Sequence, residues 1–180
     1  MSPEINDFIK KFEHALNRCQ IFISSGNIHF AVQQAKSKKD KDKEVFYIGR
    51  GLDENEIKIF QDKRLASDPL LIEKGGEFKF LIKIIASQPN PPIIEKYSFR
   101  FIGLTKSKNG IYSLRFDKDL NTPRGRDDWD DDMQDAPSHP AHHLHINFEN
   151  DNQMRLPTGA ISPMMIIGSI DYWYGQLLCE

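Results

Sequence analysis

An α+β fold, with a meandering antiparallel sheet covered by N- and C-terminal helices, is what this 180-residue chain predicts. Three observations point there. Apolar residues recur at helical spacing at both ends, a period-two pattern dominates the middle, and no segment repeats at the spacing of a solenoid. Strands that alternate apolar and polar residues, joined by short turns, form sheets with one wet face, and terminal helices then cover the other.

The first helix is capped by Ser2, with Pro3 at its first position and Glu4 near the positive end of its dipole. Ile5, Phe8, Ile9, Phe12 and Leu16 form its apolar face. Gln20–Ser24 and Asn27–Gln33 then flank Ser25-Gly26 as a hairpin, and Glu44–Gly49 is a further short strand. The Lys36–Lys43 stretch between them alternates Lys with Asp and lacks aromatics, which favours a solvated loop over a phosphate-binding arm. Asp53–Leu65 predicts one helix capped by Asp53, with Ile57, Phe60 and Arg64 at helical steps.

Glu77–Ile85 alternates, with Phe78, Phe80, Ile82 and Ile84 on one face and Lys79 and Lys83 on the other. Asn90-Pro91-Pro92 breaks the chain. Tyr97–Leu104 and Ile111–Asp117 pair as a hairpin across Lys106–Gly110, where Asn109-Gly110 suits a tight turn. Residues 118–138 form an acidic loop expected to be mobile, carrying Asp127, Asp128, Asp130, Asp131, Asp132 and Asp135 around Trp129. His142–Phe148 and Gln153–Leu156 are the last strands. The closing helix starts at Ser162-Pro163 and places Ile166, Ile167, Ile170, Trp173, Tyr174, Leu177 and Leu178 on one stripe.

Composition bounds the function. A length of 180 residues, 39% apolar with twelve Phe, suits a single domain spanning 1–180 that needs no covalent staple. A net charge of −2 lacks the basic excess of proteins that grip nucleic acid broadly, although a local site can still act on it. Cys19 and Cys179, at opposite ends of the chain and without CxxC spacing, build neither a zinc knuckle nor a disulfide framework. The chain opens without a secretory pattern, and its best apolar run, Met164–Ile170, is too short to span a bilayer, so a cytoplasmic protein without membrane contact is expected.

Polar chemistry concentrates in Ser138-His139-Pro140-Ala141-His142-His143-Leu144-His145-Ile146, which holds four of the six histidines. In an extended strand, Leu144, Ile146 and Phe148 seek the core, with His142 at its edge, while His143, His145 and Asn147 point the other way. Ser113, Arg115 and Asp117 share the polar face of the preceding strand. If the two strands are neighbours, Arg115, Asp117, His143 and His145 form one patch, with Arg100 nearby.

Three chemistries fit that patch. His143 and His145 can ligate a divalent metal, zinc, manganese or nickel, with an Asp or His139 completing the shell. Alternatively, Arg115, Asp117, His143 and His145 cleave a phosphodiester without metal, one histidine taking a proton, another giving one, and Arg115 stabilising charge. In the third, the histidines bond to Asp117 and backbone and tile a polar sheet face. Asp117–Asp128 is no EF-hand, since Thr122 stands where the turn needs Gly.

The order Leu114-Arg115-Phe116-Asp117, the histidine stretch, Arg155-Leu156-Pro157 and Ile161-Ser162-Pro163 resembles a prokaryotic family, domain of unknown function 2290, whose signature reads roughly HPxSHLHI, RxP and SPxxFI. His142 stands where that pattern has Ser, and Met165-Ile166 where it has Phe-Ile. TumE-type proteins of toxin–antitoxin pairs are similar more loosely. The resemblance implies a small bacterial cytosolic protein in a toxin or defence setting, encoded beside a partner, and singles out Arg115, Asp117, His139, Pro140, His143, His145, Arg155 and Pro157.

The expected function is therefore a nuclease-like or metal-dependent one on the histidine strand, with nucleic acid as substrate. The alternative is a non-enzymatic interaction module whose acidic loop engages a basic protein partner, with Trp129 as anchor beside Asp130 and Asp131. A small-molecule sensor using the sheet face as a pocket floor is a third option.

Overall fold

The computed structural model describes residues 2–23, 26–36, 43–72, 75–87, 90–104, 111–119, 142–148 and 153–177. They form helices α1 (Pro3–Arg18), α2 (Glu54–Ile57), α3 (Lys63–Ser67) and α4 (Pro163–Leu177) and strands β1 (Ala31–Lys36), β2 (Lys43–Arg50), β3 (Leu70–Ile72), β4 (Gly76–Ser87), β5 (Asn90–Ile102), β6 (Ile111–Asp119), β7 (His142–Phe148) and β8 (Gln153–Pro157). All strands join one sheet in the order β1-β2-β4-β5-β6-β7-β8, with β3 also paired to β4. Every pairing is antiparallel. The α+β class with a meandering sheet and terminal helices is thus observed.

Both terminal helices form as their caps predict. The Ser2 hydroxyl accepts from Ile5 N at 3.4 Å, and Ser162 Oγ accepts from Met165 N at 3.2 Å. Ile5, Phe12 and Leu16 of α1 and Ile166, Ile167 and Ile170 of α4 enter one core with the inward residues of β2 to β7. Aromatic rings dominate it. Phe78 lies at the centre, with Phe101 stacked at 4.4 Å and Phe22 at 5.1 Å, while Phe12 meets Phe80 edge-on at 5.2 Å. Edge and offset contacts of this kind add to the burial each ring already supplies.

Four expectations require correction. Among the described residues, the two segments flanking Ser25-Gly26 do not pair with each other: Phe22 instead bridges Ile72 and Ile23 N donates to Leu71 O, because the Phe22–Phe78 stack draws this segment to β3. The helix expected over Asp53–Leu65 is two short ones. Asp53 and Glu56 form a capping box on α2, Asp62 caps α3 afresh, and buried Phe60 between them is turned onto the sheet. Asn90-Pro91-Pro92 does not end pairing but opens β5, where shifts in register tolerate the missing proline N–H. Lys118 and Asp119, expected at the start of the acidic loop, belong to β6. The remainder of that loop lies outside the described residues, as do Asn109 and Gly110.

A second layer lies on the face opposite the terminal helices. There α2 and α3 form a second, smaller core of Ala31, Leu52, Phe60, Ala66 and Leu81 over β1, β2 and β4. Gly49 allows the close fit, since a Cβ there would stand 2.8 Å from Leu52 Cδ1 and 3.2 Å from Phe60 Cζ. Strands β5 to β7 carry the candidate site on the same face, where Ser98, Asp117 and His143 are buried.

Candidate metal centre

Antiparallel pairing puts opposed residues on one face, and three strands set the site by register. Ser98, Asp117 and His143 form one cross-strand row, and Arg100, Arg115 and His145 the next. The polar faces of β6 and β7 therefore coincide as the alternation predicts. Leu114, Phe116 and Leu144 hold the register, because a slip by one residue would turn them out of the core.

Asp117 is the hub. Its Oδ2 is ion-paired to Arg115 Nε and lies 3.6 Å from His143 Nε2 and 3.5 Å from His145 Nε2. The two imidazoles meet nearly edge to face, with centroids 4.8 Å apart. Asp117 and His143 are buried, at 9% and 4% exposure, while His145 is more accessible. The ligand atoms of Asp117, His143 and His145 all lie within 4.8 Å of one another, so the group can geometrically hold a metal ion.

Arg115, Asp117, His143 and His145 are thus brought together. His139 lies outside the described residues, and so do Trp129, Asp130 and Asp131 of the acidic loop. His14 is exposed, and His29 faces Glu13 at 3.4 Å on the surface. Cys19 is buried, with its thiol donating to Asp171 Oδ1 at 3.3 Å; burial pushes its pKa well up, so it is no nucleophile.

Two neighbourhoods adjoin the cluster, the first around Arg100, which was expected nearby, and the second missed by the sequence reading. On the same face, Arg100 donates from Nε to Ser98 Oγ at 3.3 Å, and with Lys79, Glu56, Leu52 and Leu81 it lines a shallow pocket where the α2–α3 cover ends. The polar alternation Lys96, Ser98, Arg100 along β5 was the available signal. On the core face, Tyr97, Lys118 and His142 form one register row. The Tyr97 hydroxyl donates to Ile161 O at 3.0 Å, so it accepts from His142 Nδ1 at 3.2 Å, and the proton of the neutral ring sits on Nδ1. Burial first, then Lys118, lower the pKa of His142; burial, then Asp117, push Tyr97 up to about 12.

Fold and site together define an α+β protein with a two-histidine, one-carboxylate cluster on the polar face of a meandering sheet. No family model, curated protein or solved structure matches the chain. Among the described residues, no helix is long and apolar enough to cross a membrane.

Proposed function

We propose that this protein binds a divalent transition metal through Asp117, His143 and His145 and hydrolyses a phosphodiester with it, in a bacterial toxin or defence setting. One observation carries the reading: two imidazole nitrogens stand 3.5 and 3.6 Å from the same carboxylate oxygen. These separations exceed those of well-formed hydrogen bonds, at about 2.7–3.2 Å. They approach the roughly 3.3 Å edge of a tetrahedron with metal–ligand bonds of about 2.0–2.1 Å.

Two imidazoles and a carboxylate suit zinc, manganese or nickel. Three protein ligands leave a position for water, the pattern of catalytic rather than structural zinc, and His139 is the candidate for completing a closed shell. The metal would lower the pKa of that water and polarise a phosphoryl oxygen. Buried His143 anchors the cluster, His145 presents its ring to the accessible side, and Arg115 faces the charge that develops on the phosphoryl oxygens. The toxin or defence setting, and an adjacent protein partner, are what the family resemblance supports.

The test is cleavage of RNA and single-stranded DNA by purified protein, with a chelator or with added zinc, manganese or nickel. Metal-dependent cleavage that is lost in His143→Ala and Asp117→Asn is expected. Cleavage that persists in chelator assigns the histidines to acid–base roles instead, and no cleavage under any condition removes the catalytic reading.

A further inference from the structure

Helices α1 and α4 pack against each other over the core face of the sheet, so their outer sides form one surface. The two sides differ in chemistry. On α1 the outer stripe is Glu4, Asp7, Lys11 and Arg18, spaced by three, four and seven residues, opposite the buried Ile5, Phe12 and Leu16. Its first half is acidic and its second half basic. On α4 the outer stripe is Met165, Gly168 and Tyr172, opposite the buried Ile166, Ile167 and Ile170.

Among the described residues, nothing in the chain accounts for the α4 stripe. Helices that are apolar on every side are normally buried. The one charged residue of α4, Asp171, is turned to the end of α1, where its Oδ1 accepts from Cys19 Sγ at 3.3 Å and from Gln20 N at 2.7 Å. Met165 and Tyr172 are nonetheless 60% and 66% exposed. Gly168 occupies the helix interior, where glycine weakens a helix. A Cβ there would meet nothing within 4 Å, so no neighbour in the chain requires so small a residue.

We infer that this surface is the interface of a symmetric homodimer, with α4 packed antiparallel on α4 of a second copy and α1 on α1. Two features select a copy of the same chain. The α4 stripe is self-complementary, because a two-fold axis between Gly168 and Ser169 sets Met165 against Tyr172 of the second copy, twice, as a sulfur-to-ring contact. Gly168 then lets the two helices approach closely. The α1 stripe is self-complementary in charge: reversing it lays Glu4 and Asp7 over the basic half of its copy, and Lys11 and Arg18 over the acidic half. Size suffices as well. At about 1.5 Å per residue and roughly 10 Å between axes, the two helices present a face of roughly 23 by 20 Å, corrugated by side chains. That is the scale of the roughly 600 Å² per partner at the lower end of stable interfaces. The Asp117–His143–His145 cluster lies on the other face of the sheet, so the dimer neither needs nor blocks it.

The experiment is sedimentation equilibrium of the full chain between about 1 and 100 μM, with chelator and reductant so that neither a metal ion nor a disulfide joins the copies. Wild type should approach twice the chain mass across this range. Gly168→Arg should raise the dissociation constant about a hundredfold, because it places a charge at the closest approach. It should leave the far-ultraviolet circular dichroism unchanged, since arginine favours helix and meets open space within the chain. Tyr172→Glu is the second variant, and serves alone if Gly168→Arg does not fold. Lys11→Glu should weaken association about tenfold by setting acid over acid. A wild type that stays monomeric, a dimer that persists in folded Gly168→Arg and Tyr172→Glu, or one that tightens in Lys11→Glu would each overturn the inference.

Discussion

Asp117 and His143 stand directly opposite one another across β6 and β7, with Oδ2 and Nε2 3.6 Å apart. The diagonal His145 approaches the same oxygen equally closely, at 3.5 Å. One buried carboxylate therefore serves two imidazoles and, from the other direction, the Arg115 guanidinium. Three groups converge on this one acid, so every chemical role of the face depends on it.

Metal loading should be visible as stability. Zinc, manganese or nickel at about a hundredfold its dissociation constant stabilises a folded-only site by roughly 2.7 kcal/mol. For a chain of this length that is a rise in thermal midpoint of roughly 5–10 °C. The rise should vanish in His145→Ala, and differential scanning fluorimetry checks both proteins side by side. A wild-type midpoint indifferent to all three metals would refute the cluster as a metal centre.

Without metal, Asp117→Asn should destabilise the fold by about 1–3 kcal/mol, because it leaves Arg115 facing Arg100 with its buried counter-charge removed. Arg115→Gln should cost less, since its side chain is a third exposed and solvent screens it. Urea unfolding of the two variants tests the order, and the reverse order would show that the arginine, not the acid, organises the face.

The Tyr97–His142 row predicts stability losses at both ends of the pH scale. Tyr97, 2% exposed, has its pKa raised to about 12, so the native state holds its proton while an unfolded tyrosine, near 10, releases it. Stability is therefore retained below about pH 10 and lost towards pH 12, by about 2–3 kcal/mol. His142 behaves oppositely: its pKa is lowered, so the unfolded chain binds the proton first, and stability present above about pH 6.5 falls as the solution is acidified. Denaturant midpoints across both ranges measure this. Tyr97→Phe should abolish the alkaline loss while costing about 1 kcal/mol at neutral pH for the orphaned Ile161 carbonyl.

Gly49→Ala tests how the second core closes on the sheet. The added methyl would collide with Leu52 and crowd Phe60, so about 1–3 kcal/mol of destabilisation is expected. Hydrogen exchange should quicken first at Leu52 N, which donates to Ala66 O, while β6 and β7 keep their protection. Uniform loss of protection across the sheet would show instead that the two cores unfold as one.

Much of the site was legible because strands have a strict period. Once Leu114, Phe116 and Leu144 are assigned to the core, Arg115, Asp117, His143 and His145 must share the other face, and neighbouring polar strands must meet. The segments that misled were those in which a distant aromatic decided the outcome. Phe22 left its expected hairpin for Phe78, and Phe60 broke its expected helix to bury itself over the sheet, because local propensities of tenths of a kcal/mol yield to ring burial of about 1.5–3 kcal/mol.

By itself, then, the sequence determined the capped terminal helices, the alternating strands and the polar face of the histidine strand, since these follow from spacing along a short stretch of chain. Only the tertiary structure decided which strands neighbour which, that α2 and α3 pack over β1, β2 and β4, and that Lys79 and Arg100 line up with Arg115 and His145. Register between strands is set by the sum of many core contacts. The distances around Asp117 are its consequence, and no local pattern encodes them.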